Sequence, residues 1–388
     1  MEKTGRDAAV QGLRILVLTD TPILGAGGSE RFLRNLLGRL PAECRVDVLQ
    51  LTSEPDSASI VGNLDLSHVR LSYHPIRAIY GPAGLKALAR IRKLVRDGDY
   101  DIVQSHHEKS DLVNALLPRR PDRTRRLSNR RDMGFQKSPR MRWLMRRLNH
   151  RFDRIVAPST AILESLAATE RVDRNKLICI PNGVDTQRFA PLPQSARTAR
   201  RAELGFAEGD LLAGCVANLY PVKRHSDLVE AFAQVHASLP TTRLLLIGDG
   251  PLRSTLEKQI AHHGLGDAVR LLGDRDDIAS LLPILDVFIL ASSSEGLSNA
   301  ILEAQACALP VIATRVGGNP ELVDENCGRL VAPAQPAALA AAMLELLRDP
   351  TLRSGLGAAA RARVEPRHSL QGMVDSYLHL YQGMVGER

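Results

Sequence analysis

The chain has 388 residues, 44% of them hydrophobic and 24% charged, so it can bury large cores and should form about two to three domains. The first 12 residues are polar, and no apolar run approaches the roughly 20 residues of a membrane span. We therefore expect neither a secretory signal nor a spanning helix. The five cysteines lack metal-type or redox-type spacing and are expected to be buried thiols of a reducing cytosol.

The charge is unevenly distributed along the chain. Residues 1–190 contain 33 Lys and Arg against 21 Asp and Glu, a net charge of +12. The remainder contains 18 against 22, a net charge of −4, which gives the total of +8. A basic half beside a mildly acidic half indicates two domains, the first of which meets an anionic partner.

The chain begins with a strand, a glycine-containing loop and a helix. The apolar run Leu13–Leu18 predicts a buried strand, Thr19–Ser29 a loop, and the apolar spacing after Glu30 a helix. The loop sequence GAGGSE does not match the G-x-G-x-x-G fingerprint, because Glu30 occupies the last glycine position. Binding of a nicotinamide cofactor is therefore disfavoured.

A further predicted strand, residues 101–104, is followed by two histidines and a lysine. His106, His107 and Lys109 would lie at the carboxyl end of this strand, before a predicted helix. A single histidine is more often structural than functional, but this position favours a role for one of them.

Residues 119–154 form a strongly basic segment. It contains 14 Lys and Arg against three Asp, and the part SPRMRWLMRRLNHRF has the spacing of a basic amphipathic helix. Such a helix can be an ordinary solvated one, a contact to an anionic membrane surface, or a contact to nucleic acid. No aromatic platform, zinc spacing or other recognition motif accompanies the charge, so nucleic acid is not expected.

A turn cluster at Pro181–Asp185 predicts a domain boundary between there and Pro193, after which the alternation of strands and helices restarts. The strand predicted at 211–217 precedes a loop that contains Asn218, Lys223 and Arg224. The apolar spacing of residues 369–385 predicts a final helix.

The stretch Asp286–Val323 predicts a strand, a polar elbow, a helix and a second strand, the βαβ unit of a doubly wound sheet. The elbow contains Glu295 and the helix Glu303, while Ser298 or Asn299 can cap the helix. Ligands of such sheets lie beyond the carboxyl ends of the strands, and a helix N-terminus attracts phosphate. A site that binds phosphate at the helix N-terminus and hydroxyl groups at two carboxylates would suit a nucleotide sugar.

A series of motifs lies along the chain, in the order GGSE, SHHEKS, IPNGVD, VKRH, IGDGP and SSSEGLSNAILEAQ, followed by VGGNPELV. This series resembles that of the retaining GT-B glycosyltransferases, the group 1, family 4 type. The resemblance covers nearly the whole chain. It implies an α/β fold with two Rossmann-like domains, parallel sheets that face a central cleft, and a C-terminal helix that crosses back. The domains would be 1–188 for the acceptor, 189–366 for the nucleotide sugar, and 367–388 for the returning helix.

The resemblance also implies site residues. His106 would lie at the donor sugar, Lys223 would neutralise phosphate and Glu295 would bind sugar hydroxyls, with Glu303 on the ribose. The donor-binding set that the resemblance implies is Gly28, Asn218, Arg224, Arg275, Gly296, Leu297, Ser298 and Glu303. The family often has an arginine where this chain has Asn218, which leaves Lys223, Arg224 and the helix terminus to hold the phosphates.

The expected activity is transfer of a hexosyl or N-acetylhexosaminyl group from a nucleoside-diphosphate sugar, a UDP-sugar rather than GDP-mannose. The acceptor would be a glycan or a lipid-linked molecule in polysaccharide or glycolipid synthesis. No cofactor and no metal are expected, and the protein would be cytoplasmic or peripheral on the inner face of the plasma membrane. The alternatives are a GT-B sugar-nucleotide epimerase and a non-catalytic basic protein that binds membrane or nucleic acid.

Overall fold

Two parallel sheets, each with its own helices, organise the chain. The computed structural model describes residues 12–25, 27–53, 68–76, 79, 81–118, 123–134 and 137–386. The predicted N-terminal domain includes residues outside this part, namely 1–11, 26, 54–67, 77–78, 80, 119–122 and 135–136, of which the last two ranges also belong to the predicted basic segment. Residues 387–388 of the predicted returning helix lie outside it as well. The chain divides after Asn182 and again after Ser369, and residues 370–388 belong to the first unit.

The first unit contains a seven-stranded parallel sheet of order β3-β2-β1-β4-β5-β6-β7. Its strands are β1 (Arg14–Thr19), β2 (Arg45–Gln50), β3 (Val69–Tyr73), β4 (Ile102–His106), β5 (Arg125–Asn129), β6 (Arg154–Ala157) and β7 (Leu177–Cys179). The helices between them are α1 (Gly28–Leu37), α2 (Gly81–Gly98), α3 (Glu108–Leu116), α4 (Pro139–Leu148) and α5 (Thr160–Glu170).

Successive side chains of β1 pack into two different cores, so this sheet is covered on both faces. Ile15 and Val17 belong to a core that includes residues of α1, whereas Leu16 and Leu18 belong to a core that includes residues of α2. Successive side chains of a strand point to opposite faces, so a strand between two helical layers needs an unbroken apolar run. The predicted strand at Leu13–Leu18 contains such a run from Ile15 to Leu18, and its bounds are displaced by one residue from β1.

The second unit contains a six-stranded parallel sheet of order β10-β9-β8-β11-β12-β13. Its strands are β8 (Leu211–Val216), β9 (Thr242–Ile247), β10 (Val269–Gly273), β11 (Val287–Leu290), β12 (Val311–Thr314) and β13 (Gly328–Val331). Its helices are α6 (Gln194–Glu203), α7 (His225–Ser238), α8 (Arg253–His262), α9 (Ile278–Leu281), α10 (Asn299–Ala306), α11 (Asn319–Leu322), α12 (Pro336–Arg348) and α13 (Pro350–Arg367). The two all-parallel sheets confirm the predicted Rossmann-like architecture.

The last helix, α14 (Leu370–Gly386), packs into the first unit. Tyr377 and Tyr381 are fully buried. The Tyr381 hydroxyl donates to Gln104 Oε1 at 2.6 Å, and Asn129 Nδ2 donates to the Tyr377 hydroxyl at 2.6 Å. The predicted return of the C-terminal helix to the first domain is thus confirmed, with contacts to β4 and β5.

The division of the chain differs from the predicted boundaries at 188 and 366. Val184 forms an isolated parallel bridge with Ser369, and its amide donates to the His368 carbonyl at 2.8 Å. Phe189 is part of the core of the second unit. Because these contacts hold residues 183–188 to the second unit, the chain divides after Asn182, within the turn cluster, rather than after residue 188.

Candidate functional site

Most of the predicted donor residues of the second unit lie in loops that follow the carboxyl ends of its strands. Strands β8 and β11 are neighbours although β9 and β10 separate them along the chain, so the crossover direction reverses between them. The crevice beyond the carboxyl ends of two such strands is where doubly wound sheets bind ligands. The loop after β8 contains Asn218 and Lys223, and the loop after β11 contains Glu295 to Ser298.

A cation and a carboxylate meet across these two loops. Lys223 Nζ donates to Glu295 Oε1 at 2.7 Å, and the Ser292 hydroxyl donates to the same oxygen at 2.6 Å. The side chain of Glu295 is 9% exposed and that of Lys223 is 25% exposed. A charge-assisted pair with a largely buried carboxylate is held in one geometry, and it places a positive charge beside the residue predicted to bind sugar hydroxyls.

Backbone contacts hold the Glu295 loop in place. The Ser293 amide donates to the Val222 carbonyl at 2.8 Å, which joins this loop directly to the Lys223 loop. The Thr314 hydroxyl donates to the Ser292 carbonyl at 2.6 Å from the end of β12. Three neighbouring strand ends therefore determine where Glu295 lies.

Gly317 allows the closest of these approaches. Its φ is +49°, and a Cβ atom there would lie 1.7 Å from the carbonyl oxygen of Glu295. The next amide, that of Gly318, donates to the Gly296 carbonyl at 3.1 Å. The VGG sequence after β12 thus lets one loop press against the backbone of the other, which a larger residue would prevent.

Helix α10 begins in the same loop. The Ser298 hydroxyl caps it by accepting from the Ile301 amide at 3.3 Å. Gly296 and Leu297 immediately precede the cap, and Glu303 lies one turn into the helix with 6% of its surface exposed. The positive end of the helix dipole and the Lys223 ammonium therefore belong to one site, a combination suited to phosphate.

Two predicted donor-binding arginines form local ion pairs. Arg224, at φ 49°, donates to Asp227 through Nε at 2.6 Å and Nη2 at 3.0 Å, so its side chain is turned along α7. Arg275 follows the edge strand β10 and donates to Asp277 at 2.8 and 2.7 Å. Lys223 is thus the predicted phosphate ligand that the structure places beside Glu295, and the roles of both arginines stay predictions.

His225, which was not among the predicted site residues, follows Lys223 by two positions and is the first residue of α7. It is 1% exposed, and within the described parts of the chain its Nδ1 is buried without a hydrogen-bond partner. Burial, followed by the charge of Lys223, lowers the pKa of His225 to about 4. The imidazole is therefore neutral at neutral pH. Its position in VKRH was visible in the sequence, but its burial was not.

The predicted site residues of the first unit lie at the corresponding reversal point of its own sheet, between β1 and β4. Gly28 is the first residue of α1, and His106 is the last residue of β4. His106 is 1% exposed, and its Nε2 lies 2.6 Å from Nε2 of Gln104. Burial, then the charges of His107 and Arg131, holds its pKa well below the ordinary value. The structure therefore shows a neutral, buried imidazole, and its contact to a donor sugar stays a prediction.

The described residues contain no group of three or more His, Cys, Asp or Glu side chains that could hold a metal ion. No helix in the described ranges has both the length and the apolar character of a membrane span. The expectation of a reaction without metal or cofactor remains a prediction.

Two family descriptions match the chain, one for each half. Residues 196–363 match Glycosyl transferases group 1, and residues 26–188 match Glycosyltransferase Family 4.

Two curated relatives are similar to the chain. One from Corynebacterium glutamicum, named GDP-mannose-dependent monoacylated alpha-(1-6)-phosphatidylinositol monomannoside mannosyltransferase, is 34% identical over 212 residues, 52% of this chain and 55% of the relative. The chain thus spans about half the length of that relative. One from Mycolicibacterium smegmatis, named GDP-mannose-dependent alpha-(1-6)-phosphatidylinositol monomannoside mannosyltransferase, is 31% identical over 324 residues, 79% of this chain and 75% of the relative.

Among solved structures, Anabaena Alr3699/HepE in complex with UDP and glucose matches with a TM-score of 0.81 at 21% identity. The match covers 96% of this chain and 100% of that chain. The likeness shows that the two proteins share a fold.

Proposed function

The chain belongs to the group 1, family 4 glycosyltransferases of GT-B fold, and on that premise we propose that it transfers a sugar from a nucleoside-diphosphate sugar to a glycan or lipid-linked acceptor. The observation that carries this proposal is the contact of Lys223 Nζ with Glu295 Oε1 at 2.7 Å, beside the N-terminus of α10. One site then offers a cation and a helix dipole for diphosphate and a carboxylate for sugar hydroxyls.

The chemistry required is departure of the diphosphate. As the bond between the anomeric carbon and the phosphate oxygen breaks, its electron pair passes to phosphate, and negative charge grows there. We propose that Lys223 and the N-terminus of α10 stabilise this charge, because both are fixed before the donor binds. Glu295, held by Ser292, would accept hydrogen bonds from the sugar.

We propose retention of the anomeric configuration by attack on the face from which the diphosphate leaves. The acceptor oxygen would bond to the anomeric carbon, and its proton would pass to a phosphate oxygen. A route through a carboxylate nucleophile would instead place that group on the opposite face, about 5 Å from its partner acid in hydrolases. The position of Lys223 beside the N-terminus of α10, where the diphosphate would be held, supports a route in which the phosphate itself takes the proton.

The donor is proposed to be a UDP-sugar, with GDP-mannose as the second candidate. The two curated relatives are named GDP-mannose-dependent, whereas the solved structure with the same fold contains UDP and glucose. The screen therefore has to include both nucleotides. The acceptor is proposed to be lipid-linked or a glycan, made available at the inner face of the plasma membrane.

The experiment is a screen of purified protein against UDP- and GDP-sugars, with release of nucleoside diphosphate as the readout and mass spectrometry of the sugar products. We expect release with one donor type, by hydrolysis alone and faster with native lipid extract. Release with none of the donors would contradict the proposal. An isomerised donor without release would identify an epimerase instead.

A further inference from the structure

The outward face of helix α4 has one tryptophan surrounded by arginines. Arg140, Trp143 and Arg147 are three or four residues apart and so share one face, with Arg146 at its flank. Trp143 is 56% exposed, and all three arginines are exposed as well. We call these four side chains the α4 face. A large apolar ring at the centre of a charged face is not explained by packing within the unit.

The opposite side of α4 makes the packing contacts of the helix. Met145 is 1% exposed and belongs to a core with residues of α5 and β6, against which Met141, Leu144 and Leu148 also pack. The Ser138 hydroxyl caps the helix by accepting from the Met141 amide at 3.2 Å. The inner side is thus sufficient to fix the helix, and the α4 face has no part in that contact.

Both ends of α4 are tied to one buried carboxylate. Lys137 Nζ, just before the helix, donates to Glu170 Oε1 at 2.7 Å. Asn149 Nδ2, just after the helix, donates to Glu170 Oε2 at 3.4 Å. Glu170 also accepts from Arg130 Nη1 at 2.7 Å, and the side chains of Glu170, Lys137 and Arg130 are at most 7% exposed. A buried network of this kind holds the helix rigidly, so the α4 face is presented in one orientation.

The charge of the α4 face is of one sign. The sequence from Ser138 to Arg151 contains no Asp or Glu. The Arg147 guanidinium lies 4.9 Å from the centre of the Trp143 ring. Phosphate-bearing lipid headgroups complement such arginines, while an indole with an apolar body and a polar N–H suits the boundary between headgroups and acyl chains.

We propose that the α4 face docks on the surface of an anionic phospholipid bilayer, with Trp143 entering the headgroup layer. The proposal extends the proposed function, because a lipid-linked acceptor would lie in the same surface. Each arginine near such a surface strengthens binding by roughly fivefold, so Arg140, Arg146 and Arg147 together account for about a hundredfold.

Trp143 makes the test direct, because it is the only tryptophan of the 388 residues. The full chain is titrated with vesicles of phosphatidylcholine alone, or of phosphatidylcholine mixed with phosphatidylglycerol, at low salt and without donor. We expect the emission of Trp143 to shift to shorter wavelength only with the anionic vesicles. Phospholipids brominated on the acyl chains should quench it.

The variant R140Q/R146Q/R147Q should lose about a hundredfold in affinity for the anionic vesicles. Its matched control is K86Q/R90Q/K93Q on α2, which removes the same charge from exposed positions of the same unit and should bind nearly as the wild type does. Circular dichroism of each variant checks the fold.

Four results would overturn the proposal. The first is an absence of any Trp143 response to anionic vesicles. The second is an equal loss of affinity in both triple variants, which would show that vesicle binding depends on the net charge of the protein and not on the α4 face. The third is an equal response to neutral vesicles. The fourth is a response to duplex DNA with none to vesicles, which would make nucleic acid the partner.

The test of membrane docking by the α4 face and the test of the proposed transferase activity can fail independently of each other. Vesicle binding is measured without donor, and donor turnover is measured without vesicles, both on the wild-type chain. Turnover without vesicle binding would refute the α4 face alone, and vesicle binding without turnover would refute the transferase activity alone.

Discussion

At the scale of single residues, the proposed donor site depends on one ion pair between two loops. Lys223 and Glu295 are 72 positions apart in the chain, and Ser292 shares the carboxylate oxygen that Lys223 contacts. The chemistry of each residue is readable from its type and motif. The contact between them is not, because it depends on β8 and β11 being neighbours in the sheet.

Replacing Lys223 by Ala should lower kcat by roughly 10²–10³, because a donor that stabilises growing charge in the transition state is lost. Steady-state rates of nucleoside diphosphate release measure this. Lys258→Ala, an exposed lysine on α8, is the matched control and should be silent. Near-normal kcat in Lys223→Ala would remove the lysine from the reaction.

His225 should make stability depend on pH. Its pKa is about 4 in the folded protein and about 6.5 in an unfolded chain, so the unfolded chain takes up the proton first as the pH falls. The stabilisation is complete above about pH 6.5 and is lost progressively towards pH 4, by about 2 kcal/mol at pH 5.

Calorimetric melting of wild type and His225→Gln across this pH range tests the prediction. The wild type should lose melting temperature more steeply on acidification, and His263→Gln, an exposed control, should follow the wild type. Buried His106 is present in all three proteins, so its effect on the pH dependence of stability is the same in each. Parallel curves for His225→Gln and wild type would show that His225 is not the group responsible.

At the scale of elements, the strands of the donor site were predictable and the positions of its loops were not. The runs Val287–Leu290 and Val311–Ala313 are continuous and apolar because both faces of their strands are covered, and they became β11 and β12. Arg224 is an example of a loop residue whose position could not be predicted from the sequence. Its backbone is left-handed at φ 49° and its side chain pairs with Asp227, and the sequence VKRH reveals neither.

Gly317→Ala should impair turnover through the backbone. The added Cβ would lie 1.7 Å from the Glu295 carbonyl at a positive φ, so the loop must move, and a displacement of about 1 Å at reacting groups can cost about a hundredfold in rate. Gly355→Ala on α13 meets no atom within 4 Å and should leave turnover intact. Equal activity in both variants would show that the approach of the two loops is unimportant.

Helix α14 should be part of the folding unit of the N-terminal half. Tyr381→Phe deprives the buried Gln104 amide oxygen of its donor and should lower the free energy of unfolding of that unit by about 1–3 kcal/mol. Urea unfolding followed by the emission of Trp143, which lies in the same unit, measures this. The exposed Tyr220→Phe is the control, and an unchanged first unit in Tyr381→Phe would contradict the prediction.

At the scale of the whole molecule, the sequence alone predicted two Rossmann-like domains because the alternation of strands and helices restarts after the turn cluster at Pro181–Asp185. The sequence predicted a boundary between this cluster and Pro193, but not its exact position after Asn182, since that depends on Val184 pairing with Ser369, 185 positions later in the chain. Local patterns therefore give the architecture, and long-range pairing decides where each unit ends.

The family assignment and the Lys223–Glu295 site together make sugar transfer with retention the central claim. The most direct measurement is nuclear magnetic resonance of the product formed from an α-linked nucleotide sugar and the native lipid extract, together with the amount of nucleoside diphosphate released. We predict an α-linked product and one nucleoside diphosphate per sugar transferred. A β-linked product would contradict retention, and no glycosylated product with any UDP- or GDP-sugar would contradict the transfer itself.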